Sequence, residues 1–266
     1  MNKRTVKLLS STVIFSLLLV GFVLNTAFSK KTERDYYQIK IYTIENESQE
    51  KRMDDYLKNA FIPAMHRAGI AGVGVFKPRE GEELSGKRIF VLIPYKDAGE
   101  FAGIPGILDK DAKYLKDGKE YIEAAHDNAP YQRIESILLR SFSATPAFHV
   151  PEYSTSPSER IYELRSYQGA TERYYERKVE MFNVGEADLF IKLGFQPILF
   201  GEVISGPDMP NLMYLTTYSD TASHVDHWNA FRDSEEWTKM KTIEKYKNTV
   251  SGSDKYLLYP SDYSDF

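Results

Sequence analysis

Glu163, Arg165 and Tyr167 alternate along a short run that begins at Tyr162, and alternate residues of a strand share one face. A carboxylate, a guanidinium and a phenol so aligned can stabilise a substrate anion electrostatically, or can form a hydrogen-bonded structural network. Gln38, Lys40 and Tyr42 repeat the arrangement 125 residues earlier. Tyr214, Thr216 and Tyr218 share one parity in a later β-rich run, and Tyr95 aligns with Tyr218. These ten residues make a candidate pocket rich in phenols and hydroxyls.

Other constellations carry less chemistry. His224 and His227 stand at i and i+3 on an expected helix, the spacing of a metal pair. No third ligand sits at a fixed spacing, and with Trp228 and Phe231 the two histidines also form an ordinary packing stripe. His66 precedes a helix end, where a cation interacts well with the helix dipole. Asp233 and Glu236 fit a capping box restarting a helix at Trp237. The glycines of Gly69-Ile70-Ala71-Gly72-Val73-Gly74 have the wrong spacing for a dinucleotide loop and lead into a strand, so they read as a helix stop and turn. No phosphate loop, nucleophile elbow or HExxH motif occurs, and no cofactor is implied.

The elements that must position the ten residues recur. Tyr-Gln-Ile-Lys-Ile-Tyr at 37–42 is answered by Tyr-Glu-Leu-Arg-Ser-Tyr at 162–167, and Gly69/Gly194, Phe76/Phe200, Tyr95/Tyr218 and Asp97/Asp220 keep offsets of 123–125. Each copy opens with strand-like alternation, at 36–44 and 161–167. A helix follows, with Met53, Leu57, Ala60, Phe61, Ala64, Met65 and Ala68 forming one apolar stripe that Gly69 ends. Its counterpart starts at Thr171, a candidate N-cap, and stops at Gly194. Strands at 71–77 and 88–95, and at 196–204 and 212–218, read as hairpins. A second helical region follows each hairpin, and last strands are expected at 131–142 and 255–259.

The order β-α-β-β-α-β, twice, predicts an α+β chain of two tandem ferredoxin-like units, residues 30–142 and 161–266, with a linker at 143–160. Their sheets are expected to pair within the chain as an α/β barrel; pairing with a second chain as a homodimer is the alternative. Parity puts Tyr37, Ile39, Ile41, Tyr162 and Leu164 toward the helices, which leaves the ten polar and phenolic residues lining the barrel interior.

Tyr162 to Tyr167, Leu193-Gly194-Phe195, Leu215-Thr216-Thr217-Tyr218-Ser219-Asp220, and His227-Trp228 through Glu236-Trp237 together resemble a NIPSNAP domain. The resemblance covers 161–241 well and 36–97 more loosely, since Ala98-Gly99-Glu100-Phe101 replaces the His-rich helix and both tryptophans are missing. It implies the dimeric α/β-barrel fold. Related barrels include cofactor-free monooxygenases, haem binders and structural proteins, so fold alone does not assign function.

Residues 1–29 are of another kind: Lys3, Arg4 and Lys7 precede an apolar run, 8–28. That segment reads as a signal peptide cut after Ser29, with Ala27 and Ser29 as the small residues a peptidase needs, or as a membrane anchor. Either way residues 30–266 are expected outside the cytoplasm, periplasmic or secreted if cleaved. The chain has 266 residues and no cysteine, so disulfides, thiolate catalysis and lipid attachment at cysteine are excluded. With the three basic leader residues set aside, 31 basic face 38 acidic groups, a net −7, and no basic stripe invites nucleic acid. Two functions stay open. One is non-catalytic binding of a small apolar or aromatic ligand or a protein partner. The other is cofactor-independent oxygenation, with Arg165, Tyr167, Tyr218 or a nearby histidine stabilising a substrate anion.

Overall fold

Runs rich in β-branched and aromatic residues form strands at Tyr36–Thr43 (β1), Gly74–Pro78 (β2), Arg88–Tyr95 (β3), Arg133–Ser141 (β4), Ile161–Gln168 (β5), Gln196–Ser205 (β6), Asn211–Tyr218 (β7) and Gly252–Pro260 (β8). A computed structural model describes residues 33–266; the leader, with its alternatives of cleavage and anchoring, lies outside the described residues. Among the described residues no helix is long and apolar enough to cross a membrane.

The strands close a barrel in the order β1-β3-β2-β8-β5-β7-β6-β4. Each half contributes the ferredoxin-like order of fourth, first, third and second strand, and each pairs the edges the other would leave open. Phe76 of β2 meets Pro260 of β8, and Ser141 of β4 meets Gly201 of β6. Among the described residues, closure leaves no strand edge to template aggregation. The fold is thus α+β, two ferredoxin-like units closing one barrel within the chain. Gln38 pairs with Ile93 across β1 and β3, and Glu163 with Thr216 across β5 and β7, so the candidate positions of β1 and β5 hold matching register positions in the two halves.

One long helix follows the first strand of each half. The first (α1) comprises Glu47–Tyr56, a π turn Leu57–Phe61 and Ile62–Arg67. Asn46 caps it, its side chain accepting the Gln49 N–H at 3.0 Å. Two shorter elements, Ala112–Asp117 (α3) and Lys119–Ile122 (α4), follow Ala98–Leu108 (α2). The counterpart of α1 is α5: Glu172–Met181, a π turn Phe182–Glu186 and Ala187–Lys192. Gly69 and Gly194 end these helices at φ +89° and +86°, a left-handed conformation that glycine reaches without a Cβ clash. Thr171 stands at the N-cap of α5 but makes no side-chain capping bond.

Asp97 and Asp220 cap α2 and Thr221–Asp233 (α6), accepting N–H groups of Glu100 at 2.9 Å and Ser223 at 2.8 Å. The restart at Glu235–Met240 (α7) is capped by Ser234, whose Oγ accepts the Trp237 N–H at 3.2 Å. Asp233, the expected cap, is the last helical residue of α6 and so cannot serve. His66 does sit in the last turn of α1, where its Nε2 lies 2.8 Å from Asp265.

Three apolar clusters hold the structure together. Tyr37, Ile39, Ile41, Tyr162 and Leu164 are buried inside the barrel with side chains from every other strand. An eight-stranded barrel is just wide enough for such residues to fill. The other two clusters lie outside it, between β1–β3 and α1–α3 and between β5–β7 and α5–α6. The parity expected from sequence is therefore inverted: the apolar set faces inward and the polar set faces the helices. β1, β3, β5 and β7 pack against the barrel core on one face and against helices on the other, so both parities of these strands carry apolar residues. Alternation then tells which residues share a face, but not which face is inside.

Candidate functional site

The ten candidate residues, expected to line one pocket in the barrel interior, lie instead in two separate groups between sheet and helices. Gln38, Lys40, Tyr42 and Tyr95 lie under α1 and α2. Glu163, Arg165, Tyr167, Tyr214, Thr216 and Tyr218 lie under α5 and α6, with Tyr214 and Tyr218 part of that cluster's buried core. The correction follows from the inverted parity.

The second-half group is closed. Glu163 has no exposed surface, and its carboxylate is filled by donors. Oε1 accepts from Arg165 Nε at 2.8 Å, while Oε2 accepts from Trp228 Nε1 at 2.6 Å and Tyr218 at 3.4 Å, with His224 Nε2 at 3.1 Å. Arg165 also donates to Tyr167 at 3.2 Å, and Tyr167 bonds Tyr214 at 2.9 Å. The Arg165 guanidinium lies 4.0 Å from the Trp228 ring centroid, a cation–π contact. Thr216 bonds Tyr218 at 3.1 Å. Burial works to raise the Glu163 pKa, but the His224 hydrogen bond and the Arg165 charge outweigh it and leave the carboxyl below its ordinary value. His224 is thus held by Glu163, and His227 Nδ1 lies 2.6 Å from the Ser223 carbonyl oxygen. Among the described residues no group of three or more His, Asp or Glu is disposed to hold a metal.

The first-half group is open. A cavity of about 500 Å³ lies between β1, β3 and the helices. Gln38, Lys40 and Tyr95 reach it from the sheet, and Tyr56, Phe101, Tyr114 and Tyr121 from the helical side. Tyr95 donates to Gln38 Oε1 at 3.1 Å, and Gln38 Nε2 donates to Ser136 at 2.7 Å. Tyr56 and Tyr114 share a hydrogen bond of 2.9 Å, and the Tyr56 and Tyr121 rings stack at 3.6 Å. Burial pushes the phenols of Tyr56, Tyr95 and Tyr121 well above their ordinary pKa. They are therefore neutral hydroxyls at physiological pH.

The contrast between the halves traces to one helix position. Counting from the caps Asp97 and Asp220, Phe101 corresponds to His224 and Pro105 to Trp228. Trp228 is only 7% exposed, and its indole fills the space over Glu163 and Arg165. The small ring of Pro105 cannot reach that far, and the equivalent space stays empty.

Sequence reasoning missed Tyr56, Tyr114, Tyr121 and Pro105. Tyr56 sits on the flank of the α1 apolar stripe, and Tyr114 and Tyr121 lie on short helices whose periodicity is too brief to orient them. The alignment of Pro105 with Trp228 was the available signal.

The NIPSNAP family model matches residues 162–265, the half in which the resemblance is densest. No curated protein matches the chain in sequence. Among solved structures, a candidate monooxygenase of Lactobacillus acidophilus is 11% identical with a TM-score of 0.55, over 86% of this chain and 94% of that one. A candidate monooxygenase of Fusobacterium nucleatum is 11% identical with a TM-score of 0.54, over 86% and 93%. A NIPSNAP family protein of Agrobacterium tumefaciens is 16% identical with a TM-score of 0.36, over 45% and 98%. The likeness to the first two is one of fold.

Proposed function

We propose that this chain, whose residues 162–265 are a NIPSNAP domain, binds a small aromatic or apolar molecule in the cavity between the sheet and helices of its first half. The observation that carries the reading is the cavity itself, about 500 Å³ with walls of tyrosine and phenylalanine. Small-molecule sites are typically concave, mostly apolar and of about 300–1,000 Å³, with a few polar groups fixing orientation. Here aromatic faces receive a planar ligand, and Gln38, Tyr95 and the Tyr56–Tyr114 pair supply the polar groups. The second-half cluster acts as a satisfied network that stiffens the barrel. Arg165, Tyr167 and Tyr218, which the oxygenase alternative would set around a substrate, bond instead to members of their own cluster.

The test is to close the cavity as the second half is closed. Aromatic fragments are screened against the wild-type chain by thermal shift and calorimetry, then against Pro105→Trp. A fragment that binds the wild type is expected to lose at least about tenfold in affinity in the variant, the loss of roughly one good contact, while circular dichroism stays unchanged. Undiminished binding by P105W, or no binding across an aromatic library, would refute the proposal. Dioxygen consumption with a bound fragment would extend it to catalysis.

A further inference from the structure

In the second half the partly buried cation has its counter-ion on the same strand. Arg165 Nη2 lies 2.7 Å from Glu163, two residues earlier on the same face. At the same register positions the first half carries Lys40 and Gln38. Gln38 has no charge, and its amide is already engaged with Ser136 and Tyr95. Lys40 therefore keeps the position of the cation but lacks the partner carboxylate. Its ammonium stands 5.2 Å from the Phe61 ring centroid and 5.5 Å from that of Tyr42, within reach of the cavity. Among the described residues no carboxylate forms an ion pair with it. Asp109, the acidic residue of the cavity wall, is exposed and unpaired with Lys40.

A partly buried lysine with no carboxylate paired to it favours an incoming anion, because the anion supplies, through a charge-assisted hydrogen bond, the counter-charge that the fold does not. The Tyr56–Tyr114 pair shares one hydrogen bond and so keeps one phenol O–H free to donate to an anion; Tyr114 is close enough for the Lys40 charge to oppose the rise that burial causes in its pKa. Granting that this cavity takes an aromatic ligand, we infer that the ligand is an aromatic oxyanion, an aryl carboxylate or phenolate. Lys40 binds its charged oxygen, and its ring lies among the tyrosines. The substitution of glutamate by glutamine at position 38, relative to 163, is what leaves the cation available.

A matched pair of probes separates the two levels of the argument: 2-naphthoate, and its neutral isostere 2-naphthamide. Each is titrated calorimetrically at neutral pH into the full chain as wild type, Lys40→Met and Gln38→Glu. The wild type is expected to prefer naphthoate by about tenfold or more, the worth of one charge-assisted hydrogen bond. K40M is expected to abolish the preference by removing the cation. Q38E is expected to abolish it by supplying the missing carboxylate, in a register where the second half already holds glutamate beside arginine. The readout in both variants is the ratio of naphthoate to naphthamide affinity, because Lys40 and Gln38 both line the cavity and either change shifts the two affinities together where charge is not involved. Equal binding of the probes by the wild type, or a preference that persists in both variants, overturns the anion inference and leaves the cavity reading standing. Failure of both probes to bind the wild type sinks the inference together with the cavity reading.

Discussion

Replacing Glu163 with Gln should cost this protein about 3 kcal/mol of stability, near the lower end of the range for breaking a buried ion pair. The magnitude follows from the geometry. Oε1 accepts Arg165 at 2.8 Å, and Oε2 accepts Trp228 at 2.6 Å with His224 at 3.1 Å. Glutamine turns one oxygen into an NH2 group, and in either orientation that donor meets another donor. Arg165, 22% exposed, also loses its counter-charge; its partial solvation is why the lower end applies. For a domain of this size about 3 kcal/mol lowers Tm by roughly 6–12 °C. Urea unfolding followed by tryptophan fluorescence is a direct assay, since Trp228 and Trp237 both lie in this half.

The pH dependence gives a second check on the same variant. The folded Glu163 carboxyl has a pKa below its ordinary value. Its stabilisation is therefore complete above the unfolded pKa, about 4.3, and is lost as pH falls through the lower folded value. The gap between wild type and E163Q should thus be full at pH 7 and close in acid. A loss under about 1 kcal/mol at pH 7, below the range for a broken buried pair, would refute the network. A gap that stays constant down to about pH 3, well under the unfolded value, would do the same.

Two further expectations concern the helices. Lys178 and Glu186 form a buried pair at 2.6 Å across the π turn of α5, so Lys178→Met alone should destabilise by about 3 kcal/mol, whereas Lys178→Met with Glu186→Leu should be neutral or stabilising. Burial raises the Glu186 pKa and Lys178 opposes that rise; K178M removes the opposition, so the variant's Glu186 titrates higher still and the variant loses more stability than the wild type as pH rises, and the K178M deficit measured by urea unfolding should grow from pH 5 to pH 8. Gly69 has φ +89° and nothing within 4 Å of an added Cβ, so Gly69→Ala should cost about 1–2 kcal/mol from backbone strain alone; an unchanged midpoint would show that the helix end relaxes. Closing the cavity through P105W and removing its charge preference through K40M and Q38E complete the set.

The strands, the glycine helix stops and which candidate residues of one strand share a face were legible in the sequence, because they rest on local periodicity and on backbone freedom at single positions. Gln38 with Lys40, and Glu163 with Arg165, share a face in any strand, whatever that strand packs against. Which face turned inward was not legible. Tyr37, Ile39 and Ile41 fit a barrel interior as well as a helix-covered surface, and the choice was made by how eight strands and the long helices pack together. The open or closed state of each site likewise depended on the reach of one side chain across a helix–sheet interface. Trp228 spans that distance and Pro105 does not, a difference of volume in three dimensions that the linear pattern of polar and apolar residues does not encode.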